Sequence, residues 1–209
     1  VGNYTISMIN SIVLLIFSCI GIVSFSQEKF KVLYLNDDYK THFLANENDS
    51  IIKKLDSTYI IAYQPDLFGY FHVFAIQGEN GWCAIDVNET ILFKVYNVEI
   101  GTLSPDDLTN GLIRIEQDSL IGFANEIGEI VIQPKFEIAT SFENGYAIIG
   151  KTCKKIPWDE KHTEYDCKHY SIVCDQHGYI DLKGNIIEFG EFTYEEIAEI
   201  IKKATHNSK

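Results

Sequence analysis

The chain has 209 residues, of which 46% are hydrophobic, enough for a packed core and too many for a disordered segment. Its formal charge of −13 repels phosphate backbones and anionic bilayers, so nucleic acid and acidic membrane surfaces are excluded as expected partners. Tyr and Phe supply 25 residues against a single Met, a bias toward pleated, half-buried β surfaces.

No charged residue occurs before Glu28. From Ile12 to Phe25 the chain is apolar over a length that suits a signal-peptide core and falls short of the roughly 20 residues of a spanning helix. Ser24-Phe25-Ser26 places small residues where a signal peptidase reads, so residues 1–26 are expected to be a signal peptide cleaved after Ser26. An uncleaved N-terminal anchor and lipidation at Cys19 are the alternatives. The expected location is secreted, periplasmic or cell-envelope.

Residues 27–79 read as an N-terminal β segment with strand-like runs at 30–35, 59–63 and 71–76. Asn46 to Ser50 and Gln64-Pro65-Asp66 read as turns between them.

Residues 80–191 repeat themselves. Trp82-Cys83-Ala84-Ile85-Asp86, Ile121-Gly122-Phe123-Ala124-Asn125 and His177-Gly178-Tyr179-Ile180-Asp181 each run into a turn followed by a β-branched or apolar tail. A unit of this size cannot bury its own apolar face and must stack on its neighbours. Asn125 to Gly128 and Asp181 to Gly184 fit type I turns, with Asx at the first position and Gly at the fourth. Glu89 takes the place of that glycine in the first hairpin, so a left-handed backbone there would cost about 1 kcal/mol. That hairpin is expected to be the least regular.

Asp86 to Asn125 spans 39 residues and Asn125 to Asp181 spans 56, which places an insertion of about 17 residues near 151–170. After the third hairpin, Phe192-Thr193-Tyr194-Glu195-Glu196-Ile197 carries a capping box and a hydrophobic staple. A capping helix is predicted over 192–205, burying Ile197, Ile200, Ile201 and Ala204 and closing the last exposed strand edge.

In the second hairpin Gly122-Phe123-Ala124-Asn125, Gly128, Ile130-Val131-Ile132, Pro134, Phe136, Phe142 and Gly145 resemble the WG-repeat family, with Ile121 where the tryptophan would stand. The first keeps Trp82 but has Cys83 for the glycine, and the third has His177 before Gly178-Tyr179-Ile180-Asp181. The resemblance implies packed antiparallel hairpins, and together with the predicted helix the expected fold is mainly β, repeated antiparallel hairpins with a short C-terminal α-helix. It also implies a bacterial chain of the kind often found behind signal peptides, and it assigns no reaction. Trp82, Phe123 and Tyr179 are expected to pack between hairpins.

Cys153, Cys167 and Cys174 concentrate around the insertion with His162, His169 and His177. In an oxidising compartment the first expectation is a disulfide, either Cys153 with Cys167, for roughly 3 kcal/mol of loop closure, or Cys153 with Cys174. Either leaves an odd thiol for Cys83. Zinc is the sharper alternative, but one residue separates Cys167 from His169 and no Cys-x-x-Cys pair occurs, so neither metal nor cofactor is expected. No nucleophile elbow, His-Glu-x-x-His helix, phosphate loop or EF-hand is present, and no catalytic residue is assigned. The acidic pairs Asp106-Asp107 and Asp159-Glu160 are read as solvated surface.

The expected function is that of a non-enzymatic binding or scaffolding module. Its partner would be a protein or other macromolecule met at the exposed hairpin face or the insertion, with Trp158 of Pro157-Trp158-Asp159 as the binding residue. The rival is a secreted hydrolase with a carboxylate site between hairpins.

Overall fold

The computed structural model describes residues 28–34, 41–97, 104–157 and 170–206. The expected signal peptide, Trp158, Asp159-Glu160, His162, Cys167 and His169 lie outside them. The fold is antiparallel β with one C-terminal helix, as the repeat predicts, but it holds four similar units rather than three.

Each unit is a three-stranded meander. The first has β1 (Lys31–Tyr34), β2 (His42–Ala45) and β3 (Ile51–Lys54), followed by the short β4 (Ile60–Ile61). The second has β5 (Phe71–Phe74), β6 (Trp82–Ile85) and β7 (Ile91–Val95); the third has β8 (Leu112–Gln117), β9 (Leu120–Asn125) and β10 (Ile130–Phe136). After β11 (Ile138–Ala139) comes the fourth, with β12 (Tyr146–Pro157), β13 (Tyr170–Asp181) and β14 (Ile186–Gly190), and then α1 (Tyr194–His206). The strands form sheets ordered β1-β2-β3, β10-β9-β8-β7-β6-β5-β4 and β11-β12-β13-β14.

One turn chemistry ends every middle strand. The side-chain Oδ1 of Asn46, Asp86, Asn125 and Asp181 accepts backbone N–H groups two and four residues on, at 2.8–3.1 Å. The residue three positions on is left-handed in each case: Asp49 (φ 59°), Glu89 (φ 64°), Gly128 (φ 89°) and Gly184 (φ 78°). An Asx side chain that mimics a backbone turn explains why this residue type recurs. The first of these turns, 40 residues before Asp86, marks the unit that the sequence pattern does not reveal.

The Glu89 turn keeps the same hydrogen-bond pattern as the others, contrary to expectation. Its left-handed strain is offset because the carboxylate accepts the Tyr59 hydroxyl at 2.7 Å and pairs with Lys53 at 2.6 Å. Both partners belong to the preceding part of the chain, so the side chain that strains the turn also ties it to its neighbour. These two contacts hold the Glu89 carboxyl below its ordinary range, and the hydrogen bond to Glu89, with burial, pushes the Tyr59 hydroxyl up to about 12.

The core follows from strand alternation, because successive side chains point to opposite faces of a sheet. In each later unit the residue just before the Asx faces the preceding unit. Ile85 packs with Val32 and Leu44, Ala124 with Tyr70 and Trp82, and Ile180 with Phe123 and Ile132. The residue one position earlier faces the following unit: Leu44, Ala84 and Phe123 lie in those same three clusters, and Tyr179 meets Ile197 of α1. Trp82, Phe123 and Tyr179 are all buried, in the packing role expected of them.

A close approach explains the repeat's glycine. A Cβ at Gly122 would stand 2.4 Å from the Ile132 carbonyl oxygen, and one at Gly178 2.2 Å from that of Glu188, because the third strand passes directly over the second. A register shift falls opposite Gly122, between Ile132 and Phe136, and another beside Gly178, between Tyr179 and Ile180.

The helix is capped as predicted: Glu196 N–H donates to Thr193 Oγ1 at 3.2 Å and Thr193 N–H to Glu196 Oε2 at 2.8 Å. Its placement differs from the expectation of a plugged strand edge. Ile197 seats against Ile148 and Tyr179 on the face of β12 and β13, with Ile200 and Ile201 half-buried beside it. This is the face that in the first three units carries the next unit, so the helix takes the place of a fifth repeat. Among the described residues no helix is long and apolar enough to cross a membrane.

Candidate functional site: the projecting β12–β13 arm

The described residues of the expected insertion, 151–157 and 170, extend two strands. β12 and β13 each run for 12 residues and pair continuously from Tyr146 opposite Asp181 to Pro157 opposite Tyr170. Their inner ends, 147–150 and 177–180, are buried or nearly so, whereas 151–157 and 170–173 are half-buried to exposed. At about 3.4 Å per residue the seven outer residues of β12 span about 24 Å.

Three features hold this arm. Cys153 and Cys174 stand opposite each other in the ladder and form a disulfide, which is the second of the two pairings considered. Cys83, 0% exposed in the second unit, is a free thiol, and burial pushes its pKa up. At the base of the arm Thr152 is left-handed (φ 57°), and the Glu137 carboxylate accepts the backbone N–H of Thr152 at 3.1 Å and of Cys153 at 2.8 Å. These two bonds lower the Glu137 pKa. Near the tip Lys155 donates to the Tyr170 hydroxyl at 2.7 Å and lies over its ring, 4.4 Å from the centroid.

The arm exposes apolar side chains that no neighbouring unit covers: Ile156 is 49%, Ile172 36% and Val173 50% exposed. Cross-strand register fixes their faces. Ile172 lies opposite Lys155, while Val173 lies opposite Lys154 and Ile156 opposite Ser171 on the other side. Residues 151–157 and 170–176 hold three lysines against one aspartate, in a chain that is otherwise strongly acidic. Trp158, the expected contact residue, follows Pro157 directly in the sequence but lies outside the described residues.

The remaining sequence candidates have structural places. His177 Nδ1 lies 2.8 Å from the Phe192 carbonyl oxygen, joining β13 to the entry of α1. Asp106, expected as solvated surface, is buried: its carboxylate takes both the Nε and an Nη of Arg114, at 2.9 and 2.6 Å, and the Arg114 backbone N–H at 3.1 Å. This pair is a staple for β8, and its bidentate geometry is the strong form of such a pair. Among the described residues no three His, Cys, Asp or Glu side chains gather as a metal site would require.

One signal for the arm was present in the sequence. Cys153 lies seven residues after Tyr146 and Cys174 seven before Asp181, so equal spacing from the start and end of the hairpin makes them a cross-strand pair.

Stacked meanders, each with an Asx turn after its middle strand, define a β-repeat protein. Residues 121–151, from β9 through β10 into β12, match the family described as the WG containing repeat. No curated protein and no solved structure matches the chain.

Proposed function

We propose that this chain is an exported binding module of the cell envelope or its surroundings, and that the β12–β13 arm is its contact element. The observation that carries the reading is a covalently fixed two-stranded ladder that presents Ile156, Ile172 and Val173 to solvent. Pinning the strands in advance lowers the ordering cost of binding. Exposed apolar side chains among lysines suit a protein partner whose apolar patch is bordered by carboxylates. The disulfide supports an oxidising compartment, and hence export. Engagement of Asp106 by Arg114 supports a binding role over a carboxylate-based hydrolase.

The test is capture of partners from envelope extracts by the chain from residue 27 onward, compared with a variant carrying Ile156→Ser, Ile172→Ser and Val173→Ser. A partner retained by the native arm and lost by the variant, with matching loss in Trp158→Ala, is the expected result. Equal retention by all three rejects the arm as the contact. Detection of the chain in the cytosol with Cys153 and Cys174 reduced rejects export.

A further inference from the structure

Beside α1 the stack is incompletely covered. Tyr146, Leu112 and Tyr70 occupy the same place in their units, each in line with the Asx residue of the paired strand: Tyr146 faces Asp181, Leu112 faces Asn125, and Tyr70 precedes Phe71, which faces Ile85. The next unit buries Tyr70 to 0% and Leu112 to 6% exposure. Tyr146 has only the helix beyond it and stays half-buried. A helix is narrower than a three-stranded meander, so α1 covers Ile148 and Tyr179 and leaves an open groove of 690 Å³ along its flank. Phe142, Tyr146, Ala198 and Ile201 line it, with Asn144 and Lys202 among its polar groups. Its volume falls within the range of ligand sites, roughly 300–1,000 Å³.

We infer that this groove is a docking site for an extended peptide segment of a partner protein, carrying apolar side chains at alternate positions. The warrant is continuity with an interface the chain already builds three times. In the second unit Tyr70 packs with Ile113 and Ile115, two alternate residues of the extended strand β8, and in the third Leu112 packs with Ala147 and Ile149, two alternate residues of β12. The groove presents Tyr146, the counterpart of Tyr70 and Leu112, beside Phe142, with no strand upon it among the described residues. An extended segment places residues i and i+2 on one side, about 7 Å apart, which is the spacing such a surface accepts. This site uses no residue of the projecting part of the arm, so it stands or falls independently of the proposed contact there.

The test is selection of displayed random peptides on the chain from residue 27 onward, followed by fluorescence anisotropy with the enriched peptides and with a blocked Leu112–Gln117 peptide. Enriched sequences with apolar residues at i and i+2, whose affinity falls at least tenfold in Ala198→Trp, are the expected outcome. Thr205→Trp fills the other end of the groove and serves as the second variant, and circular dichroism identifies which variant is folded. The arm variant Ile156→Ser, Ile172→Ser, Val173→Ser should bind these peptides unchanged. Failure to enrich any peptide, enrichment without the alternating pattern, or affinity unaltered in a folded groove-filling variant overturns the inference.

Discussion

Gly122→Ala is the sharpest probe of how the repeat is built. Its added methyl would lie 2.4 Å from the Ile132 carbonyl oxygen, 2.6 Å from Pro134 N and 2.9 Å from the Gln133 carbonyl carbon. All three are backbone atoms of β10 and its continuation, so no side-chain rotation relieves the clash, and β10 must lift by about 1 Å to restore ordinary contact. Overpacking of a well-filled interior typically costs 1–3 kcal/mol, and a rigid backbone obstacle belongs at the upper end, so about 3 kcal/mol is expected. For a chain of this size that corresponds to a fall in Tm of about 6–12 °C. Gly111→Ala is the control, because its Cβ meets nothing within 4 Å and only its φ of 79° is unfavourable, for about 1–2 kcal/mol. Denaturant unfolding of both variants reads the difference directly. The reasoning fails if Gly122→Ala lies within 0.5 kcal/mol of the parent, or is milder than Gly111→Ala.

Two further outcomes follow from buried groups. His72 is buried with its Nε2 unpartnered, and desolvation lowers its pKa from 6.5 to about 4. The unfolded chain therefore takes up a proton that the folded chain refuses, so the stability present above pH 6.5 is lost as pH falls toward 4, by up to about 3 kcal/mol. His72→Ile, which installs the residue type of Ile148 at the same place in the fourth unit, should remove that slope. Parallel pH profiles of parent and variant by chemical denaturation would count against the assignment. Replacing Cys153 and Cys174 with Ser should speed hydrogen exchange of the outer pairs 154–157 and 170–173 at least tenfold while leaving 121–125 unchanged, because the disulfide ties strands that lack packing from the stack. Uniform acceleration across both regions, read by mass spectrometry, would show that the arm and the stack open together.

Much of this architecture could be read from residue types. The turns at Asn125 and Asp181 carry both of their signature residues, and Thr193 with Glu196 announces the helix start where it occurs. The first unit escaped because Phe43 stands where Gly122 and Gly178 mark later units, and Asp49 stands where glycine marks their turns. What identifies it is hydrogen bonding by Asn46, a residue too common in loops to signal a repeat alone. The helix stripe was legible but its seat was not, since periodicity tells which residues seek cover and not which surface provides it. The arm was misread as a loop because extra length between repeats carries no mark of strand or coil until the partner of each residue is known. Trp158, the residue favoured as a contact, is untouched by what the structure describes.

Because neighbours in a middle strand serve opposite interfaces, the stack counts residues in twos. Deleting one residue between Trp82 and Asp86 would exchange the roles of Ala84 and Ile85, setting a small side chain against the first unit and a large one against the third. Such a frame is intolerant of single-residue insertions and deletions everywhere that two units meet. Past Cys153 on one strand and Cys174 on the other this constraint ends. The outer hairpin is therefore the segment in which length can drift, and new specificities can be grafted, without any rearrangement of the pile beneath it.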